Sequence, residues 1–182
     1  MPAVGGSNRL RIGTSLILAI VVAVVVWLIV KGTDDTSDTT RPSAAASAAT
    51  LATLRALPGE VEHPVYWAGT RAGYTLELTE VDGNLFVRYL PPGTDVGDPR
   101  ADFLTVGTYR VADAYTVLKL RSRRRGQHAL RARGGGIAVW SDSRPQSVYL
   151  AYPRADIQVE IYDTSAERAR RLATTGAVEP IR

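Results

Sequence analysis

The longest apolar stretch runs from Ile12 to Val30 without a charge, and its only polar side chains are Thr14 and Ser15 near the entry end. At about 1.5 Å per residue a helix of this run spans roughly 28 Å, close to the ~30 Å hydrocarbon core of a bilayer. A helix satisfies its own backbone there, so the run predicts a transmembrane anchor. It divides the chain into a tail at 1–11, the anchor at 12–30, a linker at 31–50 and one folded domain at 51–182. Gly32 to Ala49 is rich in Thr, Ser, Asp and Ala and reads as a tether.

Beyond the tether the periodicity changes. Leucines at 51, 54 and 57 keep a helical spacing that Pro58-Gly59 is expected to stop. Pro64 to Gly69 predicts a brief strand that starts at an edge. Tyr74, Leu76 and Leu78 alternate with Thr75, Glu77 and Thr79. After Asp82-Gly83, Leu85, Val87 and Tyr89 alternate with Phe86 and Arg88. Asp-Gly is a type I′ hairpin signal, and closing the turn on it pairs Leu78 with Val87 and Leu76 with Tyr89. The same register sets Glu77 opposite Arg88, on what the pattern makes the solvent face.

Pro91 to Pro99 reads as a loop and Phe103 to Tyr109 as a strand. Ala112 to about Arg124 reads as a helix that buries Ala114, Tyr115 and Leu118, although Leu118 to Arg121 also alternates like a strand. Gly134-Gly135-Gly136 is a loop into a strand at Ile137 to Trp140. Val148, Leu150 and Tyr152 form a strand that turns at Pro153 to Asp156 into Ile157, Val159 and Ile161, pairing Leu150 with Val159 and Val148 with Ile161. Thr164-Ser165-Ala166-Glu167 has capping-box spacing for a last helix, which Gly176 closes after Thr175. Tyr74–Arg124 and Ile137–Thr175 each read strand, strand, strand, helix. The expected class is α+β: a mainly antiparallel sheet with two helices covering one face, as a repeated βββα unit would give.

The charges orient the anchor. Arg9 and Arg11 precede it, and Lys31 then Asp34, Asp35 and Asp38 follow, so the positive-inside rule places the N-terminus in the cytoplasm and the domain outside. A cleaved secretory signal is the competing reading. Against it, the run exceeds the usual ~7–15-residue apolar core, and no small-residue cleavage site follows directly. Residues 1–11 are too few for a cytoplasmic module. The chain has no cysteine, so an exported domain must hold together by packing alone.

Several motifs resemble one known group. Pro64-Val65-Tyr66-Trp67-Ala68-Gly69, Glu77-Leu78-Thr79, Val87-Arg88-Tyr89-Leu90-Pro91, Val106-Gly107-Thr108-Tyr109 and Ile157-Gln158-Val159-Glu160-Ile161-Tyr162-Asp163 resemble a family of uncharacterised actinobacterial single-pass, membrane-anchored proteins. The resemblance covers most of residues 55–182. It implies envelope localisation and brings no activity, cofactor or catalytic residue.

The chemistry legible in the residues is sparse. His63 and His128 have no Cys, His or carboxylate at ligand spacing, so neither a metal nor any other cofactor is expected. Ser141 lies outside any Gly-x-Ser-x-Gly turn, and the triple glycine lacks the Lys-Ser/Thr of a phosphate loop. Glu77, Glu80 and Glu160 are the only acidic candidates for a glycan hydrolase, with nothing fixing their spacing. The reading leans away from an enzyme. One feature exceeds ordinary surface polarity: Lys119, Arg121, Arg123, Arg124, Arg125, Arg131 and Arg133, with no acidic residue between Ala114 and Trp140. On the outside of a cell such a patch faces lipid headgroups, phosphate-bearing wall polymers or an envelope protein, and not nucleic acid. Tyr66 and Trp67 are the candidates for an aromatic carbohydrate platform.

Overall fold

The computed structural model describes residues 46–61 and 63–181, so the tail, the anchor and 31–45 of the tether lie outside the described residues. Among the described residues no helix is long and apolar enough to cross a membrane. Every element lies in one compact unit formed by 46–98 and 102–181.

The chain opens with strand β1 (Ser47–Ala49), then helix α1 (Leu51–Val61), β2 (Tyr66–Trp67), β3 (Thr75–Val81), β4 (Asn84–Leu90) and β5 (Thr105–Arg110). It continues with α2 (Ala114–Arg121), β6 (Gln127–Arg131), a 3-10 turn at Arg133–Gly135, β7 (Ile137–Ser141), β8 (Arg144–Ala151) and β9 (Ile157–Tyr162). It ends with α3 (Ala166–Thr175) and β10 (Glu179–Pro180). Eight strands form one sheet in the order β1-β3-β4-β5-β9-β8-β7-β6, and β2 and β10 form a separate two-stranded pair. All pairings are antiparallel. The class is therefore α+β around a large antiparallel sheet. Two three-strand meanders, β3-β4-β5 and β7-β8-β9, meet at its centre through β5 and β9, and a helix follows each.

Both hairpin registers read from the sequence are present: Leu78 with Val87 and Leu76 with Tyr89, then Leu150 with Val159 and Val148 with Ile161. Asp82 and Gly83 sit at φ 51 and 73, the positive pair a type I′ turn needs. The pairings chain the apolar positions into rows across the sheet. Leu78, Val87, Val106, Ile161 and Val148 make one, and Leu85, Thr108, Val159, Leu150 and Ala138 make the next. On these rows sit Leu54 and Leu57 of α1, Val65 and Tyr66, and Ala169 and Ala173 of α3, in one core cluster. Thr108 is buried there, and its Oγ1 accepts from the Tyr66 N–H at 3.0 Å.

Several expectations need correction. Among the described residues the helices number three, and they do not share a face. α2 packs Ala114 and Leu118 against Val139, Tyr149 and Ala151, the residues that alternate with the core row and so point to the other side. The first helix does not stop at Pro58-Gly59 but runs on to Val61. Pro58 forgoes one backbone bond, while Leu54, Leu57 and Val61 keep the spacing that seats the helix on the core. The end of the supposed tether, Ser47–Ala49, is an edge strand paired with β3. The second helix ends at Arg121 rather than Arg124, and a strand, β6, lies where only loop was expected. The cap of α3 is Ser165, which accepts from the Arg168 N–H, one residue later than the box spacing implied.

Glu77 carries the largest correction. It is fully buried, not solvent-facing. The sheet face opposite the core is covered by α2 over β7 and β8, and by the loop at 91–98 over β3 and β4. Glu77 fastens that loop: its Oε1 accepts from Arg88 Nη1 at 2.5 Å and its Oε2 from the Gly97 N–H at 2.6 Å. Arg88 also donates to the Asp98 carbonyl at 3.0 Å and lies over the Phe103 ring.

Candidate anion-binding surface

Helix α2 places most of the basic cluster. Asp113 enters it in the left-handed region at φ 52, with its N–H donated to Asp156 Oδ1 at 2.9 Å. Ala114, Leu118 and Arg121 fall on one stripe at helical spacing, and that stripe meets the sheet. Arg121 is consequently drawn inward. Its Nε donates to Gln127 Oε1 at 3.1 Å, and its guanidinium carbon lies 4.5 Å from the centre of the Tyr149 ring.

The other side of the helix faces solvent and carries Lys119 beside Leu120, with Val117 one turn before Leu120. Those two aliphatic side chains are 44% and 55% exposed. Past the helix, backbone bonds from the Arg123 and Arg124 N–H groups to Leu120 and Arg121, and from Gln127 to Arg124, wind a tight turn. Gly126 closes it at φ 72. The turn holds Arg123, Arg124 and Arg125 exposed just beyond the carbonyl end of α2, where the helix dipole favours cations. Arg131 is exposed on the edge strand at the far end of β6, roughly 13 Å along from Gln127. Arg133 is held elsewhere. Its aliphatic stem packs on Gly176 at the end of α3, where a Cβ would fall 2.9 Å from Arg133 Cδ.

The seven cations thus sort into three groups. Lys119, Arg123, Arg124 and Arg125 gather at one end of α2, Arg131 stands apart on the edge, and Arg121 and Arg133 serve packing. None of Lys119, Arg123, Arg124, Arg125 and Arg131 has an acidic partner among the described residues. Val117 and Leu120 are residues of this surface that the sequence reading missed. Their offset from the Ala114–Leu118–Arg121 stripe was the signal that they face outward.

Tyr66 offers no platform. It is 6% exposed, stacked near Tyr152 with ring centres 6.4 Å apart. The motif around it is a packing motif: β2 holds β10, the Ile181 N–H donates to Val65, and the Ala68 N–H donates to Tyr89 Oη at 2.6 Å. Trp67 is half-buried against the same core.

Glu77 and Glu160 share the sheet face away from the core but do not form a pair. They stand three strands and two residues apart, roughly 16 Å, against the ~5–9.5 Å that glycoside hydrolysis requires. Glu160 instead accepts from Tyr109 Oη at 2.8 Å. Burial, and then the Glu160 charge, push the Tyr109 phenol far up, and Tyr149 is raised by the same two causes against the opposing pull of Arg121 and Arg144. Both rings stay protonated and serve as donors to one carboxylate.

A cleft of about 100 Å³ opens on the same half of the sheet between Arg71, Tyr74, Tyr89, Asp102 and Arg168. Arg71 lies over the rings of Tyr74 and Tyr89, and Arg168 donates to Asp163 at 2.9 Å. Among the described residues no group of three metal-ligating side chains forms. His63 bonds the Pro64 carbonyl, while His128 stacks on Trp140 and pairs with Asp142 at 2.6 Å. No protein-family model, curated protein or solved structure matches the chain.

Proposed function

We propose that the chain is a membrane-tethered domain, displayed on the outer side of a cell membrane, that binds an anionic envelope component without catalysis. The observation carrying this reading is the cluster of Lys119, Arg123, Arg124 and Arg125 at one helix end, exposed and without acidic partners among the described residues. The apolar run at 12–30 supplies the anchor, with the N-terminus in the cytoplasm, and the likeness to anchored actinobacterial envelope proteins agrees with it. The two strand-strand-strand-helix runs are, in this reading, copies of one unit. The glycan-hydrolase alternative loses support with the ~16 Å separation of Glu77 and Glu160.

Neutralising Arg123, Arg124 and Arg125 together to Gln should weaken association of the full chain with anionic vesicles or wall material and flatten its salt dependence. Co-sedimentation across a salt series reads both. Association that stays as strong, or that never depended on salt, removes the electrostatic reading.

A further inference from the structure

We infer that the ligand of this basic surface is an anionic phospholipid bilayer, entered by Val117 and Leu120 of α2. The inference rests on the anion-binding reading above and names its partner. Five large hydrophobic side chains are exposed among the described residues, and Val117 and Leu120 lie within the basic cluster itself. Leu120 lies one turn along from Val117 and beside Lys119, and the exposed Arg123 and Arg124 follow within one turn of Leu120. Exposed aliphatic residues beside Lys and Arg are the chemistry of interfacial helices. The apolar groups enter the headgroup–acyl boundary while the cations meet lipid phosphates.

Area decides between a bilayer and a protein. At eight residues α2 is about 12 Å long and presents one helix side, a few hundred Å² at most, whereas stable protein partners bury roughly 800 Å² each. So small a contact is weak in free solution. A tether raises its effective concentration at the membrane into the millimolar range, which makes a weak lipid contact sufficient. A soluble wall polymer would use the cations and leave Val117 and Leu120 idle.

The fold also fixes how the domain must lie. The tether enters through β1, one edge of the sheet, whereas β6 and the turn that follows α2 occupy the other edge, seven strand spacings or roughly 34 Å away. A contact of α2 with the leaflet that holds the anchor would lay the sheet along the membrane with the α2 side down.

The chain has no cysteine, so single substitutions label cleanly. Full-length L120C bearing an environment-sensitive fluorophore is reconstituted into vesicles containing brominated lipid, with about a third phosphatidylglycerol or with phosphatidylcholine alone. A56C, exposed on α1 over the other face of the sheet, serves as the control, and R123Q/R124Q/R125Q is built on L120C. In parallel, the full chain in zwitterionic nanodiscs is floated with bare phosphatidylglycerol vesicles. The expected result is a blue shift and bromolipid quenching at position 120 in the anionic bilayer only, absent at position 56. Quenching should be lost in the triple variant, with flotation falling about 10–100-fold. Salt-dependent flotation without quenching at position 120 overturns the bilayer-entry inference and leaves the anion-binding reading standing. Loss of both overturns both. A blue shift that bromine does not quench, together with disulfide-linked L120C pairs, assigns the face to a second copy and overturns the inference.

Discussion

A carboxylate taken wholly out of water loses several kcal/mol of hydration, so Glu77 persists only because two groups answer it. Arg88 faces it across the β3–β4 pair, the Gly97 N–H reaches its second oxygen, and the Arg88 fork continues to the Asp98 carbonyl. Charge pairing at this position was legible in the hairpin register; burial was not, because the loop that covers it carries no pattern. E77A should therefore destabilise the domain by about 3 kcal/mol, since it removes the charge that faces a largely buried guanidinium and frees the 91–98 loop. Urea unfolding measures this, and a loss below about 1 kcal/mol would reduce the pair to a surface contact. Tyr89 gives a second test. Burial is the main cause that pushes its phenol up from 10.0 to about 12, against the Ala68 N–H and Arg71, which pull it down. A raised folded-state value means stability that is complete below pH 10 and is lost as pH rises towards 12, a contribution of order 3 kcal/mol. Unfolding free energy measured from pH 9 to 12 should fall, and Y89F should make that fall shallower by about one proton. An unchanged slope in Y89F would show that Tyr89 does not couple folding to alkali.

The hairpins and α3 were readable because their signals are local and redundant. Alternation, a two-residue turn and cross-strand chemistry agree at Asp82-Gly83, and Gly176 closes α3 in the left-handed region at φ 82. Elements whose formation depends on distant partners were not. β6 reads Gln-His-Ala-Leu-Arg, with four of its five residues exposed, and forms because β7 offers an open edge. β10 is Glu-Pro, two residues that no periodicity identifies, held by Trp67 and Tyr66. The side of the sheet a helix takes is equally non-local: Ala114 and Leu118 match either face, and Tyr149 with Ala151 decides. At Pro58 tertiary packing overrides a local breaker. P58A should restore the bond to the Leu54 carbonyl and raise the unfolding temperature, with a gain of roughly 1–3 kcal/mol less any entropy returned to the unfolded chain. A lower melting temperature in P58A would mean that the proline shapes the exit of α1 rather than straining it.

At the scale of the molecule, on the proposed membrane-anchored reading, the basic cluster gains meaning only from the side of the membrane it occupies. The sheet is mixed in surface character: one edge carries β1 and the tether, the other carries β6 and the cations. If the cations lie outside, they meet headgroups and wall polymers; if inside, nucleic acid and the inner leaflet compete for them. The orienting signal is Arg9 and Arg11 against Lys31, reinforced by the acidic residues from Asp34 to Asp38 and by the absence of cysteine. A reporter active only outside the membrane, joined through a flexible linker after Arg182, should be active. The linker is required because Ile181 is 5% exposed and bonded to Val65, so a rigid fusion would disturb the β2–β10 pair. Protease added to intact protoplasts should remove the domain, first cutting between the membrane and Ser47, where the sheet begins. Internal reporter activity with a protected domain would reverse the topology, and the patch would then have to be tested against cytoplasmic polyanions. Reversing the flanking charges, with Arg9 and Arg11 changed to Asp and two Arg added after Lys31, should shift a measurable fraction of chains to that orientation, which separates the charge rule from any influence of the folded domain.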